Sequence, residues 1–227
     1  MSIEKSVVKR IVCLANSNKN GGRCIAGKVI NEKSADWIRP VSTRTDGEVL
    51  EQECRYENGE FLQLLDIIDV TLIKKDSKFH QRENWLLCPN SCWKKGGRMH
   101  WRDLERLTDR GPLWLDERGR YEKNDRVQFL DPKNLKDSLR LIRVNELTFH
   151  IAYSSGRRKM RGKFCCNDNE HDLVVTDPEW NKIYGKRTGE VGRIGDSFLT
   201  VSLTGRRSNY CYLLIAGVIL CDEVSRA

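Results

Sequence analysis

The sequence predicts a mainly β protein built from two small five-stranded barrels joined by a short helical or loop connector. Three observations lead to this prediction. The apolar segments are short, turn-forming residues separate them at intervals of about ten residues, and few stretches show the apolar spacing of a helix. Many short strands without alternating helices favour barrels or sandwiches over a parallel α/β sheet. Each half of the chain offers about five such segments.

The first half is predicted to begin with four strands. A glycine-containing turn at Gly21 and Gly22 separates the first two. The β-branched run Ile67–Ile73 favours a strand in the last of them. In chain order these strands are Val7–Ala15, Cys24–Ile30, Trp37–Val41 and Leu62–Ile73.

The stretch from Lys74 to Tyr121 differs in character because it holds four of the six tryptophans and two histidines. Its one clear helix candidate is Trp101–Leu107, where apolar residues recur every three positions and charged residues occupy the opposite face. We therefore predict a connector that begins at about residue 74 and packs on a β core.

The second half returns to short strands. Thr176 and Asp177 followed by Pro178 and Glu179 are typical of a helix start, so we predict a helix over Glu179–Tyr184. Asp177 is expected first to cap this helix and only second to contact a ligand. The predicted strands are Leu139–Val144, Leu147–Tyr153, Gly162–Asn167, Asp172–Thr176, Phe198–Leu203 and Tyr210–Leu220.

These elements predict two domains. Residues 1–115 form a first OB-like barrel that includes the connector, and residues 116–227 form a second, because the OB fold is the common five-stranded barrel. The sequence shows no exact internal repeat, so the duplication rests on the count of strands alone.

The composition excludes several classes of protein. A hydrophobic fraction of 39% in 227 residues is enough to bury a core, which excludes wholesale disorder. The longest apolar run, Tyr212–Cys221, is about half the ~20 residues of a membrane-spanning helix. Nine cysteines without an apolar signal core near the start predict reduced thiols and a cytoplasmic location.

The net charge of +8 permits nucleic-acid binding without requiring it. The run Arg157–Lys163 is the densest basic segment and is predicted at a hairpin tip, where cations would neutralise phosphates. Arg206 and Arg207 add a second basic turn. The stretch Trp93–Arg102 interleaves aromatic and basic residues, as proteins that grip single strands do.

A further mixed group lies on the predicted strands of the first half. For every group the alternative interpretation is a structural role, in which the basic residues lie in solvated turns or ordinary ion pairs and the tryptophans lie in the core. The candidate nucleic-acid contacts are Arg23, Lys28, Trp37, Arg39, Trp93, Lys94, Lys95, Arg98, Arg157, Arg158, Lys159, Arg161, Lys163, Arg206 and Arg207.

Two motifs suggest other ligands. Gly22–Lys28 has the letters G-x-x-x-x-G-K of a phosphate loop, but Val29 follows where Ser or Thr should hold magnesium, so we predict a strand. A second set has zinc-ligand residue types at spacings that fit no standard zinc site, so we predict no metal and no cofactor. Its members are His80, Cys88, Cys92 and His100.

Hydrolytic motifs are absent from the sequence. His171 and Asp172 are adjacent in a predicted strand, where neighbouring side chains point to opposite faces and would not share one site. We therefore expect a protein without enzymatic activity.

Several segments together resemble one known family. They are Arg10–Ser17, Gly21–Lys28, Trp37–Ser42, Glu83–Leu86, Leu173–Pro178 and Tyr210–Ala216. On these segments the chain is similar to the bacterial dual OB-containing domain proteins, and the similarity extends over nearly the whole chain. It implies two OB-like barrels and favours nucleic-acid or nucleotide binding only weakly, because the family is named for its fold.

The sequence thus predicts a nucleic-acid-binding module for single-stranded DNA or RNA with little sequence preference. Basic loops would contact phosphates, and Trp93 or Trp37 would stack on bases. Two alternatives stay open. Barrels also serve as protein-docking subunits, and a barrel mouth also forms pockets for a nucleotide or small molecule. The oligomeric state is not predicted.

Overall fold

The computed structural model describes residues 6–30, 34–89, 91–114, 125–128, 137–154, 156–184 and 186–221. Its internal contacts divide the chain into two compact units, residues 1–103 (unit 1) and 104–227 (unit 2). This division lies before the boundary at residues 115 and 116 that the sequence suggests. None of the described helices is long and apolar enough to cross a membrane.

Six strands are formed by the residues of unit 1 that the structure describes. Five of them close into a barrel in the order β1-β2-β3-β5-β4, because β1 also pairs with β4. Every pairing is antiparallel except that of β3 with β5. The strands are β1 (Val7–Lys19), β2 (Gly22–Val29), β3 (Trp37–Val41), β4 (Asp66–Lys75), β5 (Asn84–Leu87) and β6 (Lys94–Arg98).

The interior of this barrel follows from strand alternation. On β4, Ile68, Val70 and Leu72 are fully buried, and the residues between them are partly exposed. Strand β1 runs four residues beyond the predicted end at Ala15 because its second half pairs with β2 up to the tight turn at Asn20 and Gly21.

The structure corrects the extent of the predicted connector. Strands β5 and β6 lie within it, and both pair with β4, so they belong to the unit 1 barrel sheet. The helix predicted at Trp101–Leu107 is confirmed as a short 3-10 helix that buries Leu104 and Leu107. A second 3-10 turn covers Glu51–Glu53.

In unit 2 the described residues form eight strands and one α-helix. A short strand, β7, pairs with the last strand, and the helix separates the fifth and sixth strands of this unit. The elements are β7 (Arg126–Gln128), β8 (Leu139–Val144), β9 (Leu147–Ser154), β10 (Arg157–Cys166), β11 (Asn169–Val175), α1 (Pro178–Tyr184), β12 (Glu190–Ile194), β13 (Ser197–Leu203) and β14 (Tyr210–Leu220).

The unit 2 barrel has the same strand order as unit 1. Strands β8 and β9 act as one bent first strand, and β12 and β13 act as the fourth. Strand β8 pairs with β13 and β9 pairs with β12, and the antiparallel register is the same on both sides of the bend, from Ser197 opposite Val144 to Gly192 opposite Phe149. Strands β10 and β11 come second and third, and β14 is the fifth, parallel to β11. The prediction of a mainly β chain with two five-stranded barrels is confirmed.

Helix α1 begins as the sequence predicts. The Asp177 carboxylate accepts hydrogen bonds from the backbone N–H of Glu179 at 3.0 Å and of Val218 on β14 at 3.1 Å. Its role as helix cap is confirmed. One turn later the Trp180 ring packs against Phe149 of β9, with ring centroids 4.9 Å apart, and so anchors the helix on the core.

Burial gives Asp177 a pH-dependent effect on stability. It raises the pKa of this carboxyl from its ordinary value of 3.8 to about 6, although backbone N–H donors oppose the shift. Between these two values the folded state holds a proton that the unfolded state has released. Stability contributed through this group therefore falls as pH rises from about 4 to 6.

We expect the wild-type chain to lose about 2 to 3 kcal/mol of unfolding free energy relative to Asp177→Asn between pH 4 and pH 7, because asparagine does not titrate. Urea unfolding of both proteins across this range measures the difference. Parallel pH profiles for the two proteins would contradict the assignment.

Candidate nucleic-acid interface

The densest basic run lies on a strand. Residues 157–163 form the first part of β10, whereas the sequence predicts a hairpin tip. The prediction is corrected because strand pairing with β9 begins immediately at Arg157 and Ser154. The basic side chains are therefore held on a sheet surface with a fixed register.

Four of these side chains are exposed. Within the described part of the chain none of them forms an ion pair with a carboxylate, although Lys163 lies opposite Asp172 in the β10–β11 register. We call this set the strand cations: Arg157, Arg158, Lys159 and Lys163.

An aromatic residue that the sequence analysis did not select stands beside this set. Tyr153, at the end of β9, is 69% exposed and pairs in register with Arg158. Residues paired in register share a face of the sheet, so this ring lies beside Arg158, whereas Arg157, Lys159 and Lys163 point to the other face. A flat ring next to an unpaired cation is the combination that holds single strands. The available signal was an aromatic residue four positions before a basic run, which sequence alone does not distinguish from a core residue.

Arg206 and Arg207 lie in the turn between β13 and β14, and we call them the loop arginines. Two backbone hydrogen bonds between Arg207 and Tyr210 close a two-residue hairpin. Arg206 donates to the carbonyl of Ser208 at 2.6 Å and to the amide oxygen of Asn209 at 3.4 Å. Both arginines are exposed.

Strand β14 places two half-buried tyrosines just after this loop. The guanidinium of Arg126 lies 5.7 Å from the ring centre of Tyr210 and 5.1 Å from that of Tyr212. Sequence analysis missed all three residues, because only the pairing of β7 with β14 brings Arg126 to the tyrosines.

A carboxylate cluster lies beside the basic run, at Arg161. Asp172 accepts hydrogen bonds from Arg161 at 3.0 Å and lies 2.9 Å from His150, and Asp125 lies 3.6 Å from the same arginine. Arg161 is thus the member of the basic run whose charge is neutralised. The predicted convergence of cations into one continuous positive surface is wrong at this point.

The candidates on β2 and β3 are engaged within unit 1. Arg23 forms an ion pair with Glu51, and the buried Arg39 forms one with the buried Glu83 at 3.1 Å. Lys28 is 3% exposed, and its ammonium lies 5.3 Å from the ring centre of Trp37. The structure brings Lys28 and Trp37 together as predicted, but it buries two of these three cations.

The group around β6 is also structural. Trp93 is 1% exposed, so the prediction that its ring is available for stacking is wrong. Lys95 and Arg98 form ion pairs with the buried Asp66 at 3.1 and 3.2 Å.

Lys94 lies opposite Asp69 in the β4–β6 register. The hydrogen-bonded guanidinium of Arg10 lowers the pKa of Asp69, and the charge of Lys94 adds to the effect. This lysine therefore also faces a carboxylate.

The other motifs are accounted for by the fold. Gly22–Lys28 lies on β2, as predicted, and so does not form a phosphate loop. Of the residues with zinc-ligand types, His80 is buried whereas Cys92 and His100 are exposed. Among the residues that the structure describes, no three His, Cys, Asp or Glu side chains are grouped to hold a metal ion.

Comparison with solved structures gives remote likenesses. The p204 HINb domain is 10% identical with a TM-score of 0.36, over 95% of this chain and 100% of that one. A murine DNA-binding protein bound to double-stranded DNA is 9% identical with a TM-score of 0.34, over 95% and 99%. These likenesses add nothing to what the strand order shows. No curated protein sequence matches the chain.

Comparison with family models, in contrast, gives a match over most of the chain. The model of the dual OB-containing domain covers residues 9–218, which include both barrels, and the resemblance noted in the sequence is thereby confirmed. The chain belongs to the dual OB-containing domain family.

Proposed function

We propose that this chain is a non-enzymatic module that binds single-stranded DNA or RNA, with little sequence preference, through the outer surface of the unit 2 barrel. OB barrels bind oligonucleotides on the face of their second and third strands and with the loops that join strands 1–2 and 4–5. The position of the exposed cations on unit 2 carries the proposal.

The strand cations occupy the second strand of this barrel and begin directly after its 1–2 loop. The loop arginines lie in the 4–5 loop, between β13 and β14. Both basic groups therefore fall on the part of an OB barrel that meets ligand. Unit 1 supports the proposal less, because its candidate cations on β2 and β3 are buried or form ion pairs.

The chemistry of this surface suits a single strand. Phosphates would bind at the two basic groups, with release of counterions, and the carboxylate cluster at Arg161 would face the less charged sugars and bases. Tyr153 offers an exposed ring for stacking, which requires an unpaired base and reads no sequence.

The test is the affinity for a fluorescently labelled single-stranded oligonucleotide of mixed sequence, measured by anisotropy at low salt. Arg157→Ala with Lys159→Ala removes two unpaired cations, and we expect about a tenfold loss of affinity that is the same for different sequences. The matched control is Lys182→Ala with Lys186→Ala, which removes equal charge from exposed positions on and after α1.

Equal losses in the two double variants would mean that only net charge matters and would overturn the assignment of the surface. Failure of the wild-type chain to bind any oligonucleotide at low salt would overturn the proposed function itself. Co-purification with a protein partner would then favour a docking subunit.

A further inference from the structure

The turn between β4 and β5 of unit 1 has an unusual tip. It is a two-residue hairpin, in which Lys78 and Gln81 exchange two backbone hydrogen bonds of 3.3 and 2.9 Å. Phe79 and His80 are its two central residues. By strand order this turn is the 4–5 loop of the unit 1 barrel.

Phe79 has a backbone conformation that disfavours large side chains. Its φ is +53°, in the left-handed region, and the first central position of such a hairpin is normally occupied by glycine, asparagine or aspartate. A bulky residue there strains the backbone. Such strain persists only where the surrounding structure fixes it, and it is concentrated at functional sites.

The surroundings do fix this turn. His80 is 1% exposed, so the second central residue points into the protein. At the base of the hairpin the N–H of Asp76 donates to the carbonyl of Asn84 at 2.9 Å, and the Ser77 hydroxyl donates to the carbonyl of Arg82 at 3.3 Å. The tip is therefore held firmly.

The Phe79 ring itself is 72% exposed, the most exposed large hydrophobic side chain among the described residues. No described ring or cation lies against it. Phe61 of the same unit provides the contrast, because the guanidinium of Arg55 lies 4.4 Å from its ring centre. The strained position thus presents a bare aromatic face to solvent.

We infer that Phe79 is a second nucleic-acid contact, on unit 1, where its ring stacks on an unpaired base. The inference rests on the proposed function. Three features favour a base as the occupant: the ring lies in a loop that contacts ligand in OB barrels, it is held rigidly, and the exposed cation Arg82 follows the turn. Lys78, which precedes the ring, forms an ion pair with Asp76 at 3.6 Å and is not counted among these features. Stacking on a base needs no further group from the protein.

The variant Phe79→Gly distinguishes base stacking by Phe79 from a purely structural role. Glycine relieves the left-handed strain, so we expect a thermal midpoint raised by a few degrees. The same variant should bind the single-stranded oligonucleotide about 5- to 100-fold more weakly, because one stacked base is lost. Binding to a blunt duplex of the same sequence should change less than twofold. A residue with a purely structural role would not give higher stability with weaker binding.

Two control variants complete the experiment. Phe79→Trp should retain single-strand affinity, because tryptophan also stacks, and Phe61→Ala should leave it unchanged. If Phe79→Gly binds as the wild type does while Arg157→Ala with Lys159→Ala is impaired, this inference fails and the proposed function stands. If the wild-type chain binds no oligonucleotide, the proposed function fails first.

Discussion

Replacing Gly27 with alanine is expected to unfold the unit 1 barrel. A Cβ atom on this residue would lie 2.2 Å from the carbonyl oxygen of Val12 and 2.9 Å from its carbonyl carbon. Both are backbone atoms of β1, whose register with β2 shifts between Cys13 and Ala15. Because no side-chain movement relieves this clash, we expect a loss of about 4 kcal/mol or more of unfolding free energy.

Urea unfolding, or the yield of folded protein, measures this loss. The matched control is Gly96→Ala on β6, where a Cβ would meet its nearest neighbour at an ordinary 3.6 Å and the backbone has no left-handed strain. Its stability should stay within about 0.5 kcal/mol of wild type. A stable Gly27→Ala protein would contradict the close approach of β1 to β2.

The second large effect is expected at the buried ion pair of unit 1. The side chains of Arg39 and Glu83 are 3% and 5% exposed, and Arg39 also donates to the amide oxygen of Asn84 at 3.3 Å. Arg39→Ala leaves the Glu83 carboxylate buried without this partner. We expect the unfolding free energy to fall by about 3 to 5 kcal/mol.

The comparison variant is Arg10→Ala, which removes an exposed ion pair with Asp69 on the same barrel. Exposed pairs contribute little, so this variant should unfold nearly as wild type does. If Arg10→Ala and Arg39→Ala lost nearly equal unfolding free energy in chemical denaturation, the result would contradict the expectation that the buried ion pair contributes more than the exposed one. The result also bears on function, because it distinguishes a structural arginine on β3 from a ligand contact.

Much of the fold could be predicted from local sequence. Alternating and β-branched runs indicate β4 and β8, and the capping sequence before Glu179 indicates α1. Strand β6 could not be predicted, because Lys94–Arg98 contains no residue with an apolar side chain and buries none of its residues. It forms because β4 offers an open edge with backbone partners, which is a long-range property.

In the candidate site, too, local features could be predicted from the sequence and long-range contacts could not. Local charge density correctly indicates a basic segment at residues 157–163, but the acid that neutralises Arg161 comes from β11 through sheet register. Arg39 and Glu83 are likewise far apart in sequence. Gly27 has the letters of a phosphate loop, yet the structure explains it by the close approach of two strands. Whether a cation remains unpaired depends on which acidic residues the fold brings next to it. The spacing of residues in the sequence does not predict this.

The salt dependence of oligonucleotide binding by the wild-type chain tests the central claim most directly. If the four strand cations and the two loop arginines contact phosphates, the logarithm of the association constant should fall linearly with the logarithm of salt concentration. For a single strand the expected slope is about −4, or about −0.7 for each of these cations. A slope near zero, with the same affinity at low and high salt, would contradict the account.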